Sequence, residues 1–320
     1  MTQTLSYQEA RARAIVRELH SNPCALVIGH SLSLPFNDDD GLLRRCPDQV
    51  LAPPYSELAT AAAGVGAAMG GLRPLVALST ASFMFYAWPA IANEAPLVRY
   101  LSGGAVHTPV AFHVHGGSRR GGGPQHEHSP QAMLQNVPGL RVLVPGTPAD
   151  IDAALHTALT GADPTVIFDH VLLAETLGPV PDEPSGPPTA ELVRDGADAL
   201  VVSSGVMTPR ALDAAAELAS DGLEVSVLNV PLVSPAPLHD VLPVINRHAA
   251  VVFADESRGP GSPASWMMAA LLERGSGVRA ALVCSAPAPA PFAPALLDEI
   301  VPTAARIASA VRRLIRGEDR

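Results

Sequence analysis

Glu57 has the sequence setting of a carboxylate held in a partly apolar environment. It follows Ser56, a residue type that often caps helices, and no other charged residue occurs before Arg73. The small and apolar residues between them predict a helix packed closely on all sides. Because an ionised carboxylate is costly to bury alone, we expect Glu57 to be neutralised, paired or hydrogen-bonded. The structural alternative is an acidic residue placed at a helix start by the helix dipole.

Four histidines form two His-x-His pairs, His113 with His115 and His126 with His128. His126 follows a glycine-rich segment, and an imidazole that titrates near neutrality suits proton transfer. In a strand, the same spacing would point both side chains of a pair to one face, where they could bind zinc or iron. A histidine-ligated metalloenzyme is therefore one hypothesis, although no carboxylate ligand is obvious beside the pairs.

Short apolar strands alternate with helical patterns along the chain, which predicts parallel sheets flanked by helices. Proline after a capping residue marks three expected helix starts, at Ser129, Thr147 and Thr208. The expected strands are Ala25–Ile28, Leu75–Leu78, Val110–Val114, Val142–Val144 and Thr165–Phe168, followed by Ala199–Ser203, Val225–Leu228, Val251–Ala254 and Ala280–Val283.

Length and a proline-rich segment predict two α/β domains. The chain has 320 residues, of which 48% are hydrophobic and 16% charged, enough for two buried cores. Prolines and glycines crowd residues 177–188, which we interpret as a linker. The expected domains are therefore residues 1–176 and 189–320.

Charge and cysteine content narrow the class of protein. A formal charge of −10 argues against nucleic acid and anionic membrane surfaces as partners. The three cysteines, Cys24, Cys46 and Cys284, are far apart in sequence, which is typical of proteins in a reducing compartment.

The N-terminus has no signal-peptide pattern and is predicted to form an arginine-containing amphipathic helix. The uncharged run from Pro74 to Asn93 is better explained as a strand and a buried helix than as a membrane span. We expect a cytoplasmic protein.

Several motifs resemble the β subunit of the thiamine-diphosphate-dependent 2-oxo acid dehydrogenases, of the pyruvate, branched-chain and acetoin types. They are Pro54–Glu57, Gly66–Pro74, Arg99–Gly104, Gln125-His126 and Ser129-Pro130. Each motif alone is unspecific, but their order and spacing agree with the family. The resemblance implies a transketolase-like pyrimidine-binding domain and a transketolase C-terminal-like domain, each a mostly parallel sheet flanked by helices.

The resemblance also implies roles for three residues. Glu57 matches the family's acid beside the cofactor's aminopyrimidine ring, which helps that ring remove a proton from the thiazolium carbon. Phe83 matches the phenylalanine that stacks on this ring, and His126 matches the family's active-site histidine. The implied enzyme forms an activated aldehyde (enamine) from a 2-oxo acid and transfers it to an acceptor.

A missing motif implies a partner chain. The Mg²⁺ that holds the diphosphate is usually bound through a Gly-Asp-Gly motif, which this sequence lacks. In the family, a separate α subunit carries that motif. The resemblance therefore implies that this chain contacts the pyrimidine half of the cofactor, is active only with an α partner in an α₂β₂ heterotetramer, and leaves Mg²⁺ mainly to that partner. A lipoyl acyltransferase is a candidate further partner.

The chain departs from the family pattern at several positions. His30 replaces an acidic residue, His126-Glu127-His128 replaces His-Ser-Gln, and Ser82 replaces an aspartate. The potassium-binding loop of relatives has lost an acidic position around Gly161–Pro164, and an arginine is replaced near Pro231. His30 and His128 are thus candidates for lining the site. The departures leave open a transketolase-like carboligase that forms C–C bonds, and a partner subunit without catalytic residues is a further alternative.

Overall fold

Parallel strands form the centre of each half of the chain, as their alternation with helices predicts. The computed structural model describes residues 2–29, 45–118, 121–184 and 186–318. Internal contacts divide the chain into two compact units: the first comprises residues 1–116 and 133–188, and the second comprises residues 117–132 and 189–320. His30 lies outside the described residues.

The elements are numbered in chain order over the described residues. The strands are β1 Thr2–Ser6, β2 Ala25–Gly29, β3 Val50–Leu51, β4 Arg73–Thr80, β5 Ala111–His115, β6 Arg141–Leu143, β7 Thr165–Asp169, β8 Leu177–Pro181, β9 Glu191–Arg194, β10 Ala199–Ser203, β11 Val225–Asn229, β12 Leu232–Ser234, β13 Ala250–Arg258 and β14 Arg279–Ser285. The α-helices are α1 Tyr7–Ser21, α2 Glu57–Met69, α3 Ala95–Leu101, α4 Gln131–Gln135, α5 Pro148–Thr160, α6 Met207–Ala219, α7 Leu238–Ile245, α8 Pro263–Glu273, α9 Pro294–Ile300 and α10 Ala304–Arg316.

The first unit is built on a parallel sheet. Its strands lie in the order β6-β7-β5-β4-β2-β3, and every pair of neighbours is parallel. β1 and β8 form a separate antiparallel pair, so the proline-rich segment expected as a linker begins with a strand. Helices α1 and α5 pack against each other, and each begins with a capping box, at Ser6 and Thr147 respectively.

The second unit has a mostly parallel sheet of its own. Its strand order is β14-β13-β10-β11-β9, with only the edge strand β9 antiparallel to its neighbour. An apolar cluster that includes Leu200, Val251 and Phe253 fills its core. Both units therefore confirm the expected α/β class. No helix among the described residues is long and apolar enough to cross a membrane.

Local chemistry explains where the elements differ from expectation. All nine expected strands are present, but the short strands β1, β3, β9 and β12 lack the apolar runs used to find strands. The expected cap at Thr208 is wrong, because α6 begins one residue before it, after Val206. Thr208 instead donates its hydroxyl hydrogen to Asn229 Oδ1 at 2.9 Å, inside the second unit.

The run after β4 is not one buried helix, since it contains a 3₁₀-helix, Ala81–Phe85, and a π-helix, Pro89–Glu94.

Among the described residues, helix α2 packs on one face only, so the expectation of close packing on all sides is wrong for this part of the chain. Thr60, Ala61, Gly64, Val65 and Ala68 are buried. The opposite face is apolar but exposed, with Leu58 46% and Met69 48% accessible. A Cβ added at Gly64 would lie 2.3 Å from Val76 Cγ2, so this glycine allows α2 to approach β4 closely.

We predict that Gly64→Ala lowers the free energy of unfolding by about 1–3 kcal/mol, because the added methyl group must displace α2 or the stiff Val76 side chain. Gly66→Ala in the same helix is the matched control, since nothing lies within 4 Å of its added Cβ. That control should gain about 0.5–1 kcal/mol from helix propensity. Urea unfolding of the full chain measures both, and equal stability of the two variants would contradict the packing argument.

Candidate active site

The parallel sheet of the first unit brings candidate residues to one edge. Glu57 follows β3, Phe83 follows β4, His115 ends β5 and Asp169 ends β7. Because these strands are parallel, their carboxyl ends share an edge, and this is the edge where open α/β sheets bind ligands. The topology thus assembles residues that are more than a hundred positions apart in sequence.

Glu57 is the first residue of α2 and is half-buried. Ser56 caps the helix, accepting a hydrogen bond from the Ala59 amide at 3.3 Å. The first-turn position places the carboxylate at the positive end of the helix dipole. The carboxyl group is therefore fixed by a capped helix end yet remains accessible to a ligand.

Phe83 is carried by the 3₁₀-helix that follows β4, and its ring is half-buried. The chain reaches this turn through Ser79, whose φ of 60° is unusual for a residue other than glycine. The ladder between β4 and β5 shifts register between Ala77 and Thr80, across Ser79. Strained backbone of this kind costs on the order of 1 kcal/mol and is concentrated at functional sites. It directs the chain from the sheet edge into the turn that holds Phe83.

A buried charge network lies at the same edge. Arg11 Nη1 is 2.6 Å from Asp169 Oδ2, and both side chains are almost fully buried. His113 Nε2 lies 3.0 Å from the same oxygen and His115 Nδ1 lies 3.7 Å from it. The two rings meet edge to face with centroids 5.2 Å apart. Strand β5 thus does point both histidines to one face, and the carboxylate that the sequence did not reveal is Asp169.

Burial and charge act in opposite directions on Asp169. Burial raises the pKa of its carboxyl, but Arg11, then His115 and His113, hold that pKa well below its usual range. Asp169 in turn adds to the effect of burial in raising the pKa of Tyr7. The donor atoms of His113, His115 and Asp169 lie within 4.8 Å of one another, as in a metal site. However, a divalent cation there would face the Arg11 guanidinium bound to the same carboxylate oxygen, so the geometry favours an internal ion-pair network.

His126 lies in a loop that precedes α4, within the segment 117–132 of the second unit. The Gly117 amide donates to the His128 carbonyl at 2.8 Å and closes this loop at its base. His126 is half-buried, with Nδ1 3.2 Å from the Gly122 carbonyl oxygen. Because a carbonyl can only accept, Nδ1 must carry the hydrogen. In the neutral ring, Nε2 is then the nitrogen able to take a proton.

The second sheet anchors the loop through two carboxylates at the end of β13. Glu256 Oε1 accepts from the Ser118 amide at 3.1 Å, and Asp255 Oδ1 lies 3.5 Å from Gln131 Nε2. Burial raises the pKa of Asp255, with Ser257 and Ala264 opposing it through hydrogen bonds. Burial, and next Arg258, lower the pKa of His128, which favours its neutral form.

The loop that resembles a potassium site is occupied by arginines. Arg73 Nη1 donates to the Gly161 carbonyl at 2.5 Å. Asp163 pairs with Arg99 at 3.2 Å and with Arg141 at 3.4 Å. Guanidinium groups therefore contact both the Gly161 carbonyl and the Asp163 carboxylate of this loop.

Comparison with known proteins identifies the family. The transketolase pyrimidine-binding domain model matches residues 3–175, and the transketolase C-terminal domain model matches residues 189–307. The acetoin:2,6-dichlorophenolindophenol oxidoreductase subunit beta of Cupriavidus necator is 31% identical over 99% of this chain and 99% of that protein. This chain belongs to the family of 2-oxo acid dehydrogenase β subunits.

Another relative agrees with this assignment, and a solved structure supports the fold. The pyruvate dehydrogenase E1 component subunit beta-3, chloroplastic, of Oryza sativa subsp. japonica is 28% identical over 96% of this chain and 81% of that protein. A solved structure described as a split-gene transketolase, inactive β4 tetramer, matches with a TM-score of 0.79 over 98% of both chains. At 22% identity, that structure supports the fold alone. The β subunits of this family form part of thiamine-diphosphate-dependent enzymes that need an α partner.

Sequence reasoning missed the polar partners that shape this β subunit. Asp169 was only the residue after an expected strand, and Arg11 only a charge on an amphipathic helix. Glu127 and Glu256 are buried, with only 6% and 9% of their surface exposed, although glutamate is usually a surface residue. Only the position of Asp169 at a strand end signalled a role, because pairing across the fold cannot be seen in one sequence.

We predict that Asp169→Asn destabilises the β subunit by about 3–5 kcal/mol at neutral pH, because it leaves Arg11 buried without its counter-charge. The folded pKa of Asp169 is lowered, so its contribution is fully present above the unfolded value of about 4 and is lost as the pH falls through the folded value. The difference between wild type and variant should therefore shrink in acid.

Urea unfolding at several pH values measures this difference, with Asp213→Asn on the exposed face of α6 as the control. A wild-type advantage that stays constant down to pH 2 would contradict the ion-pair assignment.

Proposed function

We propose that this chain forms the pyrimidine half of a thiamine diphosphate site, with Glu57, Phe83 and His126 as its functional residues. Bound thiamine diphosphate supplies the nucleophilic carbon and electron sink on which a 2-oxo acid is decarboxylated. The proposal is carried by one observation: a half-buried carboxyl group stands at the capped start of α2, on the ligand-binding edge of the sheet.

Glu57 is the residue we assign to the pyrimidine ring. A carboxyl group beside a ring nitrogen can share or donate a proton there, provided that water is largely excluded. The half-buried setting of Glu57 and the apolar face of α2 beside it fit this need. Phe83, half-buried on the neighbouring turn, offers a flat apolar surface for the same ring.

His126 is the residue we assign to proton transfer at the substrate. Its Nδ1 contact with the Gly122 carbonyl leaves Nε2 to accept a proton in the neutral ring and to donate one in the charged ring. The family position of the Gln125-His126 motif supports the same role. His128, whose pKa is lowered by burial and by Arg258, is held mainly neutral and is the weaker candidate for an acid.

The exposed apolar face of α2 supports an α partner in direct contact with this helix. Contiguous exposed apolar surface of this kind marks an interface. Leu58, Ala59, Ala62, Ala63 and Met69 are all exposed in this chain. The sequence has no Gly-Asp-Gly motif, so the partner would hold Mg²⁺ and the diphosphate, and an α₂β₂ heterotetramer would place two such sites at subunit interfaces.

The overall reaction is decarboxylation of a small 2-oxo acid, or cleavage of a related ketone, with transfer of the product to an acceptor. The name of the Cupriavidus relative, an acetoin oxidoreductase subunit, supports a small substrate of this class. A lipoyl acyltransferase is one candidate acceptor partner. A carboligase stays the alternative, because Glu127 and His128 replace the family's usual residues beside His126. We expect a cytoplasmic location.

The rival metalloenzyme is favoured by one observation, the cluster of His113, His115 and Asp169. Arg11 counts against it, as described above, and the second pair, His126 and His128, belongs to the other unit. Elemental analysis of the purified chain separates the two hypotheses. Stoichiometric zinc or iron, lost in a His113→Ala variant, would favour the metalloenzyme.

We predict that Glu57→Gln lowers turnover of the α/β complex by about a hundredfold or more, because the amide keeps the shape but cannot supply the proton. The complex should still assemble, since the cap of α2 is unchanged. Glu175→Gln, an exposed carboxylate in the same unit, is the control. Activity of Glu57→Gln close to that of the control would refute the assignment.

We predict that His126→Ala lowers turnover by about a hundred- to ten-thousand-fold, the usual contribution of a general acid or base, with little change in cofactor affinity. His128→Ala should be milder. Steady-state kinetics of the complex and a cofactor titration measure the two effects. The reverse order of severity would show that His128 is the functional histidine.

A further inference from the structure

Glu127 is a buried carboxylate for which neither the family chemistry nor the proposed site has a use. It lies directly after His126 and is 6% exposed. Burial of a carboxylate requires compensation by hydrogen bonds or charge. The contacts of Glu127 therefore indicate its structural role.

One oxygen of Glu127 holds two consecutive backbone amides of the same loop. Oε1 accepts from the Gly121 amide at 2.9 Å and from the Gly122 amide at 2.7 Å. Hydrogen bonds from amides to an ionised carboxylate are roughly twice as strong as neutral ones. A Cβ at Gly122 would lie 3.1 Å from His126 Cβ, so the three residues are in close contact.

The held segment is the one that contacts the histidine ring. The Gly122 carbonyl lies 3.2 Å from His126 Nδ1, and the His126 amide donates to the Gly123 carbonyl at 3.1 Å. Gly121 and Gly123 have φ values of +128° and +72°, which few other residues adopt. Glycines in such a segment have many alternative conformations, so the direction of the Gly122 carbonyl needs an external constraint.

We propose that Glu127 is a positioning residue, which fixes the Gly122 carbonyl against His126 Nδ1 and thereby keeps Nε2 as the proton-accepting nitrogen of the neutral ring. The tautomer of a histidine is set by the hydrogen bond that its other nitrogen makes. Without Glu127 the carbonyl can turn away, and the Nδ1 hydrogen then loses the acceptor that favours this tautomer. The kinetic consequence rests on the proposed role of His126, whereas the tautomer itself does not.

Two substitutions separate the amide contacts from the charge. Glu127→Gln keeps an oxygen that can accept from both amides, whereas Glu127→Ala removes it. In the α/β complex, Glu127→Ala should lower kcat by about tenfold to a hundredfold, the range found when a group that orients a metal-bound histidine is removed. Its KM should stay within about threefold, and Glu127→Gln should keep most of the turnover. Asp213→Ala, an exposed carboxylate of the same unit, is the control.

The direct readout is the protonation pattern of the His126 ring. Nitrogen NMR of the full chain labelled at histidine, with the His126→Ala spectrum for assignment, distinguishes a hydrogen on Nδ1 from one on Nε2. The wild type and Glu127→Gln should show hydrogen on Nδ1, and Glu127→Ala should show a mixture. An unchanged tautomer in Glu127→Ala would overturn the proposal, as would an equal loss of kcat in both variants. If His126→Ala keeps full turnover while the tautomer still depends on residue 127, the proposed catalytic role fails and the positioning contact stands.

Discussion

The approach of α2 to the first sheet is the contact on which the proposed site depends. Gly64 lies so close to Val76 that a single added carbon atom would overlap it, which fixes the distance between helix and sheet. Glu57 is the first residue of the same helix, so this contact also determines where its carboxyl group lies. Because the interior is closely packed and the helix is rigid, fixing α2 at Gly64 also fixes the position of its first turn. The opposite face of α2 leaves apolar residues exposed, and we propose that a partner chain binds there.

Buried carboxylates in this chain are compensated by charged side chains and by backbone amides. In the first unit, Asp169 is held by a guanidinium and two imidazoles at the end of β7. In the second unit, Glu127 and Glu256 accept hydrogen bonds from backbone amides of the loop around His126. Glu256 also lies 3.8 Å from Arg210, and Asp169 also accepts from the His170 amide. Both kinds of contact hold polar side chains in fixed orientations.

Sequence alone predicted much of the fold, because apolar runs and proline-marked caps reflect local physics. The nine apolar strands and the capped helix at Thr147 are examples. Thr208 failed as a cap because a buried partner, Asn229, competes for its hydroxyl. The one-sided packing of α2 was missed because composition does not show which faces of an apolar helix the rest of the chain covers.

The candidate site was predictable only in part. The positions of Glu57, Phe83 and His126 came from motif order, and their functions remain proposals. The roles of Asp169 and Arg11 could not be predicted, because they depend on neighbours that the fold brings together. Arg11 and Asp169, for example, are 158 residues apart in sequence. Glu127 was noticed only as a departure from the family pattern, and its contacts with Gly121 and Gly122 required the structure.

In the proposed enzyme, this chain holds only the pyrimidine half of a thiamine diphosphate site. Calorimetric titration of thiamine diphosphate with Mg²⁺ into the isolated chain, and into its complex with the α partner, tests it directly. We expect stoichiometric binding by the complex and weak or unmeasurable binding by the chain alone. Tight, stoichiometric binding by the isolated chain would contradict the account.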